Sequence, residues 1–190
     1  YKQNLSTNYL LKIPVIKLPS PLIKEYFWFW HYICNLHNKL RKFIMEAKFS
    51  PRVKDVITYS REEALRLGHD YIGIEHLMLG MIRDGDGVGM RLLKNLGVDS
   101  ADLRKNIEHN LTPGLRKSNN LANIPLVKQA EKTLKLTYLE AKTFKSIQIG
   151  TEHLLLCILK ENDNIVTKTL LRYGVDYDAV RAELEGFLDN

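Results

Sequence analysis

Apolar positions between residues 50 and 111 recur three and four apart, the period of a helix packed on one face, and show no strand-like alternation. Val53, Val56, Ile57, Ala64 and Leu67 form a first stripe. Ser50 is placed to cap it, Pro51 suits its first helical position, and Gly68 lies past its end. Leu77, Met78, Met81 and Ile82 form a second stripe, which starts near Glu75 and stops at the glycines of "DGDG". "VGMRLLKNLG" predicts a third helix ending at Gly97. A fourth follows Asp99, a good N-cap, and carries Leu103, Ile107 and Leu111.

The same order is then written again. "IGIEHLMLGMIRDGDG" at 72–87 returns as "IGTEHLLLCILKENDN" at 149–164, an offset of 77 residues without a gap. Between 72–111 and 149–188, 14 of 40 positions are identical, and upstream Glu63 and Ala64 lie over Glu140 and Ala141. A duplicated unit of this length stacks on its copy to bury a shared core. The expected fold is all-α, two pseudo-symmetric four-helix repeats, about eight helices. Repeat one spans 45–111 and repeat two 126–190. "TPGLRKSNNLANIP" at 112–125, with turn formers at both ends, reads as the linker.

Charge changes the picture in one place. The formal net charge is +6. Residues 1–44 carry seven Lys/Arg and one Glu, and so hold all of it; residues 45–190 carry 21 of each sign. The repeats therefore give no electrostatic case for nucleic acid. Residues 1–44 also hold both Trp, three of the six Pro, and "YFWFWHYICNL" at 26–36, too short a run to span a bilayer and without a small-residue cleavage site after it. This leader reads as translated upstream sequence or an expression remnant ahead of Met45, or else as an amphipathic helix around 22–44 that packs on the domain or a partner.

Candidate chemistry is sparse. Gly85-Asp86-Gly87-Val88-Gly89 resembles a phosphate-binding run, but no strand precedes it and the chain has no P-loop; a turn between helices is the expected reading, and ATP binding is not expected. Glu75-His76 and Glu152-His153 lack the spacing of a metal motif, since adjacent helical residues face different ways. An acidic residue in the first turn suits the helix dipole, with the His packing or bonding locally. Cys34 and Cys157 have no motif spacing, and Cys157, over Gly80, reads as a small core residue. No nucleophile and base pattern stands out, so the chain is expected not to be an enzyme, with no cofactor and no metal of its own.

"FSPRVKDVITYSREEALRLGHDYIGIEHLMLGMIRDGDGVGMRLLKNLGVD" closely resembles the N-terminal domain of bacterial ClpC-type Clp unfoldases, and the duplication matches that family's double repeat. The resemblance covers about 46–190 and nothing in 1–44. It implies a cytoplasmic, monomeric recognition domain that docks adaptor proteins and substrate proteins for an ATP-driven ring. That ring unfolds them and feeds the ClpP peptidase, with ATP and Mg in ATPase modules outside this chain. The alternative is a free-standing Clp-repeat regulator without any ATPase.

The resemblance also implies a phosphoarginine pocket in each repeat, built from the Glu of "EH" and a hydroxyl residue at the start of the first helix. The carboxylate pairs with the guanidinium, while the hydroxyl and helix N–H groups take the phosphate. The matching residues are Glu75 with Ser50 in repeat one and Glu152 with Val127 in repeat two. Val127 departs from the pattern because it has no hydroxyl. Ile74 departs too: its counterpart Thr151 is a plausible N-cap for the second helix, and its loss would cost repeat one about 1 kcal/mol. The first site is thus expected to carry any phosphoarginine binding. The bland alternative is that both Glu residues only favour helix starts.

Overall fold

The computed structural model describes residues 48–114 and 124–188. The leader, with Cys34, and the middle of the linker lie outside the described residues. Within them are eight helices and no strand. They are α1 (Pro51–Arg66), α2 (Ile74–Asp84), α3 (Val88–Asn95) and α4 (Ser100–His109), then α5 (Lys128–Thr143), α6 (Thr151–Leu159), α7 (Ile165–Arg172) and α8 (Tyr177–Leu188).

The helix starts read from Ser50 and Asp99 hold, while Leu111, expected in the fourth helix, lies just past its end. Ser50 Oγ accepts the Val53 N–H at 3.3 Å, and Pro51 opens α1. Asp99 accepts the Asp102 N–H at 2.8 Å at the start of α4. Gly68, Gly85, Gly97 and Gly174 stand past helix ends with positive φ, which glycine adopts without a Cβ penalty. At the end of α5 that position is Lys145, with φ 53°.

The repeats interlock rather than merely abut. Within each, the long first helix packs on the second: α1 on α2, and α5 on α6. Across them, α3 packs on α6 and α8, and α7 packs on α2 and α4. One apolar cluster results, drawing Val53, Leu79, Leu92 and Ile107 from one repeat together with Leu134, Leu156, Val166 and Leu184 from the other. Each such burial is worth about 1.5–3 kcal/mol. Two short parallel backbone bridges, Phe49 with Ile149 and Ile72 with Leu126, tie the lead-in of each repeat's first helix to the lead-in of the other repeat's second helix.

Two buried carboxylates explain the identity seen upstream of the strong repeat. Glu63, 2% exposed, receives Arg66 and Arg104 at 2.8 and 2.7 Å. Its counterpart Glu140 receives the Tyr177 hydroxyl at 2.6 Å and the Lys160 ammonium. A buried charge without such partners would cost several kcal/mol. Gly80 permits a tight crossing of α1 and α2, since a Cβ there would lie 2.6 Å from the Val56 carbonyl. Cys157 holds the same place in repeat two and is fully buried. Burial pushes its thiol up to about 12, so it stays protonated.

The linker's ends are built into the fold. The Thr112 carbonyl bonds His69 Nε2 at 2.7 Å, the Gly114 N–H donates to the Leu67 carbonyl, and Ile124 is 3% exposed.

Candidate functional site

Both "EH" pairs close a helix start in one way. Gly73 is the N-cap of α2 and Gly150 that of α6, and neither can cap with a side chain. The N-cap N–H instead donates to the imidazole three residues on: Gly73 to His76 Nδ1 and Gly150 to His153 Nδ1, both at 2.9 Å. Each Nδ1 is therefore an acceptor and each ring neutral. Burial pushes both histidines down to about 4. The close approaches of Glu75 and Glu152 to these rings, 3.4 and 3.2 Å, are thus not ion pairs.

This corrects the expected cap at Thr151. The residue is the first of α6, not its N-cap, and Ile74 costs α2 no cap because glycine and histidine do that work in both copies. The Thr151 hydroxyl serves the other repeat. Its Oγ1 accepts the Gly89 N–H at 3.1 Å, at the start of α3, where Gly87 provides no side-chain cap. A Cβ on Gly87 would lie 2.5 Å from Thr151 Oγ1, and one on Gly89 2.8 Å from the Thr151 carbonyl. The glycine run is therefore a turn whose second half is pressed against α6. In repeat two the equivalent start has its own cap, Asn164, which accepts the Thr167 N–H at 2.8 Å.

With the imidazoles closing the N-caps, the glutamates are left over. Glu75 and Glu152 fold back over the glycine two residues before them. A Cβ on Gly73 or Gly150 would lie 2.2 or 2.1 Å from a carboxylate oxygen. Both side chains are 16% exposed, and neither is paired with Lys or Arg among the described residues. Burial raises both carboxyls above the usual range, only partly offset by the residue's own N–H and, at Glu75, by His69. A carboxylate held at a helix start, desolvated and without a cation, is suited to receive one.

The two pairings expected within repeats are not what the fold assembles. Ser50 lines a cavity of about 600 Å³ with Glu152, not with Glu75. The reason is the backbone bridge: the Ser50 N–H donates to the Ile149 carbonyl at 2.9 Å and so holds the start of α1 beside the start of α6. By the same device Val127 donates to the Ile72 carbonyl at 3.0 Å, three residues before Glu75. The fold thus brings Ser50 beside Glu152 of the other repeat, and Val127 beside the lead-in of the helix that carries Glu75.

The cavity is lined by charges of both signs. Arg52 and Arg91 line it, as do Asp55 and Asp86. Arg52 is already engaged with Asp84 at 3.2 Å, whereas Arg91 makes no ion pair among the described residues. Sequence reasoning missed Arg91, because it lies on α3 and nothing local links it to Ser50. Among the described residues no group of three or more His, Cys, Asp or Glu is placed to hold a metal ion.

A family described as the Clp repeat (R) N-terminal domain matches residues 48–171 and again 128–190. Two relatives align with 141 residues, 74% of this chain. The negative regulator of genetic competence ClpC/MecB of Bacillus subtilis is 33% identical, and the chaperone protein ClpB of Oceanobacillus iheyensis is 30% identical. The chain spans about 17% of the length of these curated relatives. Among solved structures, the N-domain of ClpV from Vibrio cholerae superposes with a TM-score of 0.66 at 14% identity, covering 79% of this chain and 89% of that one. The N-terminal domain of the chaperone ClpD from Arabidopsis thaliana does so with 0.60 at 19%, covering 75% and 96%. With residues 48–171 and 128–190 matched to it, the chain belongs to the Clp repeat N-terminal domain family.

Proposed function

We propose that the two repeats form the substrate- and adaptor-recognition domain of a cytoplasmic, ATP-driven Clp unfoldase, and that the cavity between Ser50 and Glu152 receives a phosphorylated arginine side chain. The observation that carries this reading is that one cavity is lined by a desolvated carboxylate, a hydroxyl and a guanidinium, with neither charge in a Lys/Arg–Asp/Glu ion pair among the described residues. The ligand's guanidinium would lie on Glu152. Its phosphate would take the Ser50 hydroxyl, the Arg52 N–H and the Arg91 guanidinium. Pro51 has no N–H to offer, and the Val53 N–H is spent on Ser50. The chain does no chemistry in this reading. ATP hydrolysis and delivery to the ClpP peptidase belong to other modules of a parent protein. A ClpV N-domain, of the same fold, has been solved in complex with a VipB peptide, which supports peptide recognition as the work of this fold.

Calorimetry with free phosphoarginine tests the pairing. Charge-assisted hydrogen bonds are worth roughly 1.5–3 kcal/mol, so Glu152→Ala is expected to weaken binding by at least tenfold, and Arg91→Ala and Ser50→Ala by smaller factors. Glu75→Ala is expected to leave most of the affinity in place. Loss on Glu75→Ala with Glu152→Ala silent would return the site to the within-repeat pairing, and no binding by wild type would leave the glutamates as helix-start residues only.

A further inference from the structure

Ser50, Arg91 and Glu152 reach one cavity from the starts of three helices, α1, α3 and α6. Thr151, which also lines the cavity, joins two of those starts. It is the residue before Glu152, yet its oxygen is engaged by another helix: Oγ1 accepts the buried Gly89 N–H at 3.1 Å. Arg91 follows two residues later in the same turn of α3, with its own N–H on the Gly87 carbonyl at 3.1 Å. A Cβ on Gly87 or Gly89 would run into Thr151, so α3 comes this close only because both positions are glycine. The first turn of α3 is thus fixed to the first residue of α6, and the backbone that carries Arg91 is set from the residue beside the Glu152 carboxylate.

The other copy lacks this joint as a set. Ile74, at the place of Thr151, has no side-chain oxygen to offer. Val166 carries a side chain where Gly89 has none, and Asn164 caps α7 from within, on the Thr167 N–H. Lys168, at the place of Arg91, bonds Asp163 at 2.6 Å. Among the described residues no equivalent ion pair joins Arg91 to Asp86, although both line the cavity. The cross-repeat oxygen, the two glycines and the uncommitted guanidinium occur together in one copy and are missing together from the other.

We propose that Thr151 is a positioning residue for ligand binding: by fixing the first turn of α3 to α6, it holds Arg91 where its guanidinium meets the phosphate of a ligand seated on Glu152. The proposal rests on the phosphoarginine reading of this cavity and adds to it the residue that sets the phosphate contact. A guanidinium–phosphate contact is directional, made by paired N–H groups, so a displaced helix start loses it although the cation remains. Thr151 acts through Arg91, its own acceptor being engaged by the Gly89 N–H.

A double-mutant cycle on the full 190-residue chain, read by calorimetry with free phosphoarginine, tests the assignment. Thr151→Val is expected to weaken binding several-fold, approaching the loss on Arg91→Ala, and to add little once Arg91 is already alanine. Thr151→Ser keeps the oxygen and is expected to restore most of the affinity. Circular dichroism checks that each variant is folded. Fully additive losses are what a direct Thr151 contact or a general loosening would give, and they would overturn the proposal. So would a silent Thr151→Val beside a damaging Arg91→Ala, or a serine variant no better than valine. A silent Arg91→Ala, or no binding by wild type, would instead remove the phosphoarginine reading itself and the proposal with it.

Discussion

Gly150 shows how much a single residue contributes by what it lacks. Its φ of −95° is open to any residue, so glycine is needed for space rather than for backbone freedom. The Glu152 carboxylate occupies the place a Cβ would take. Gly150→Ala is therefore expected to push that carboxylate off the helix start and to lower phosphoarginine affinity about as far as Glu152→Ala does, although every ligand remains; calorimetry on the variant checks it. The carboxylate also carries a stability cost. Its folded-state pKa is raised, so ionisation favours the unfolded chain, and the penalty is present at neutral pH and gone below the unfolded pKa near 4.3. Glu152→Gln is expected to raise the melting temperature at pH 7 by about 1–3 °C while abolishing binding, with the gain vanishing near pH 4. An unchanged or lower melting point at pH 7 would mean that the helix dipole outweighs the burial.

At the scale of elements, the start of α3 depends on a helix of the other repeat. Thr151 Oγ1 is the acceptor for the Gly89 N–H, and both groups are buried. Thr151→Val keeps the volume and removes the acceptor. It is expected to cost about 1–2 kcal/mol, the range for leaving one buried donor unpaired. In denaturant melts the loss should appear as a lower midpoint with an unchanged slope, because the folded and unfolded surfaces stay the same. Asn164→Ala, at the equivalent start in repeat two, should cost a similar amount from within one repeat. Lys145→Gly is the converse case. It relieves a left-handed side chain at the end of α5 and is expected to stabilise by about 0.5–1 kcal/mol.

At the scale of the molecule, the shared core and the crossed helix pairs make neither repeat complete alone. A fragment of residues 45–111 exposes the faces of α2 and α3 that α6, α7 and α8 cover, and is expected to lack a cooperative thermal transition. A sharp transition in that fragment would overturn mutual burial. Acid should act on both halves together. His76 and His153 are held near 4 against an ordinary value near 6.5. Both are depressed, so the stability they contribute is present above about 6.5 and is lost as pH falls toward 4. Each is worth on the order of 3 kcal/mol across that window. Glu63 adds to the loss at lower pH. Burial raises its pKa, but Arg66 and Arg104 outweigh burial and hold it below the usual range. Melting temperature measured from pH 7.5 to 3.5 should therefore fall steadily below 6.5, and His76→Gln should flatten the upper part of that fall.

The sequence by itself was sufficient for whatever local rules decide. Helical periodicity placed the elements, the side chains of Ser50 and Asp99 and the position of Gly68 marked three of their ends, and the 77-residue echo announced the duplication and the family. The residues of the candidate site were legible as types: two glutamates at helix starts, one hydroxyl present at Ser50 and one absent at Val127. Their partnership was not legible, because it depends on which helix start lies beside which. That was decided by two backbone bridges between segments about 55 and 100 residues apart, and their hydrogen bonds are made by main-chain groups that every residue carries. The same limit hid Thr151 as a cap for another helix, Arg91 as part of the cavity, and the glycines of "DGDGVG" as room for a neighbour. Pattern and propensity act along the chain. The crossing of one repeat over the other is set by how two apolar faces cover each other, and only the folded molecule contains that contact.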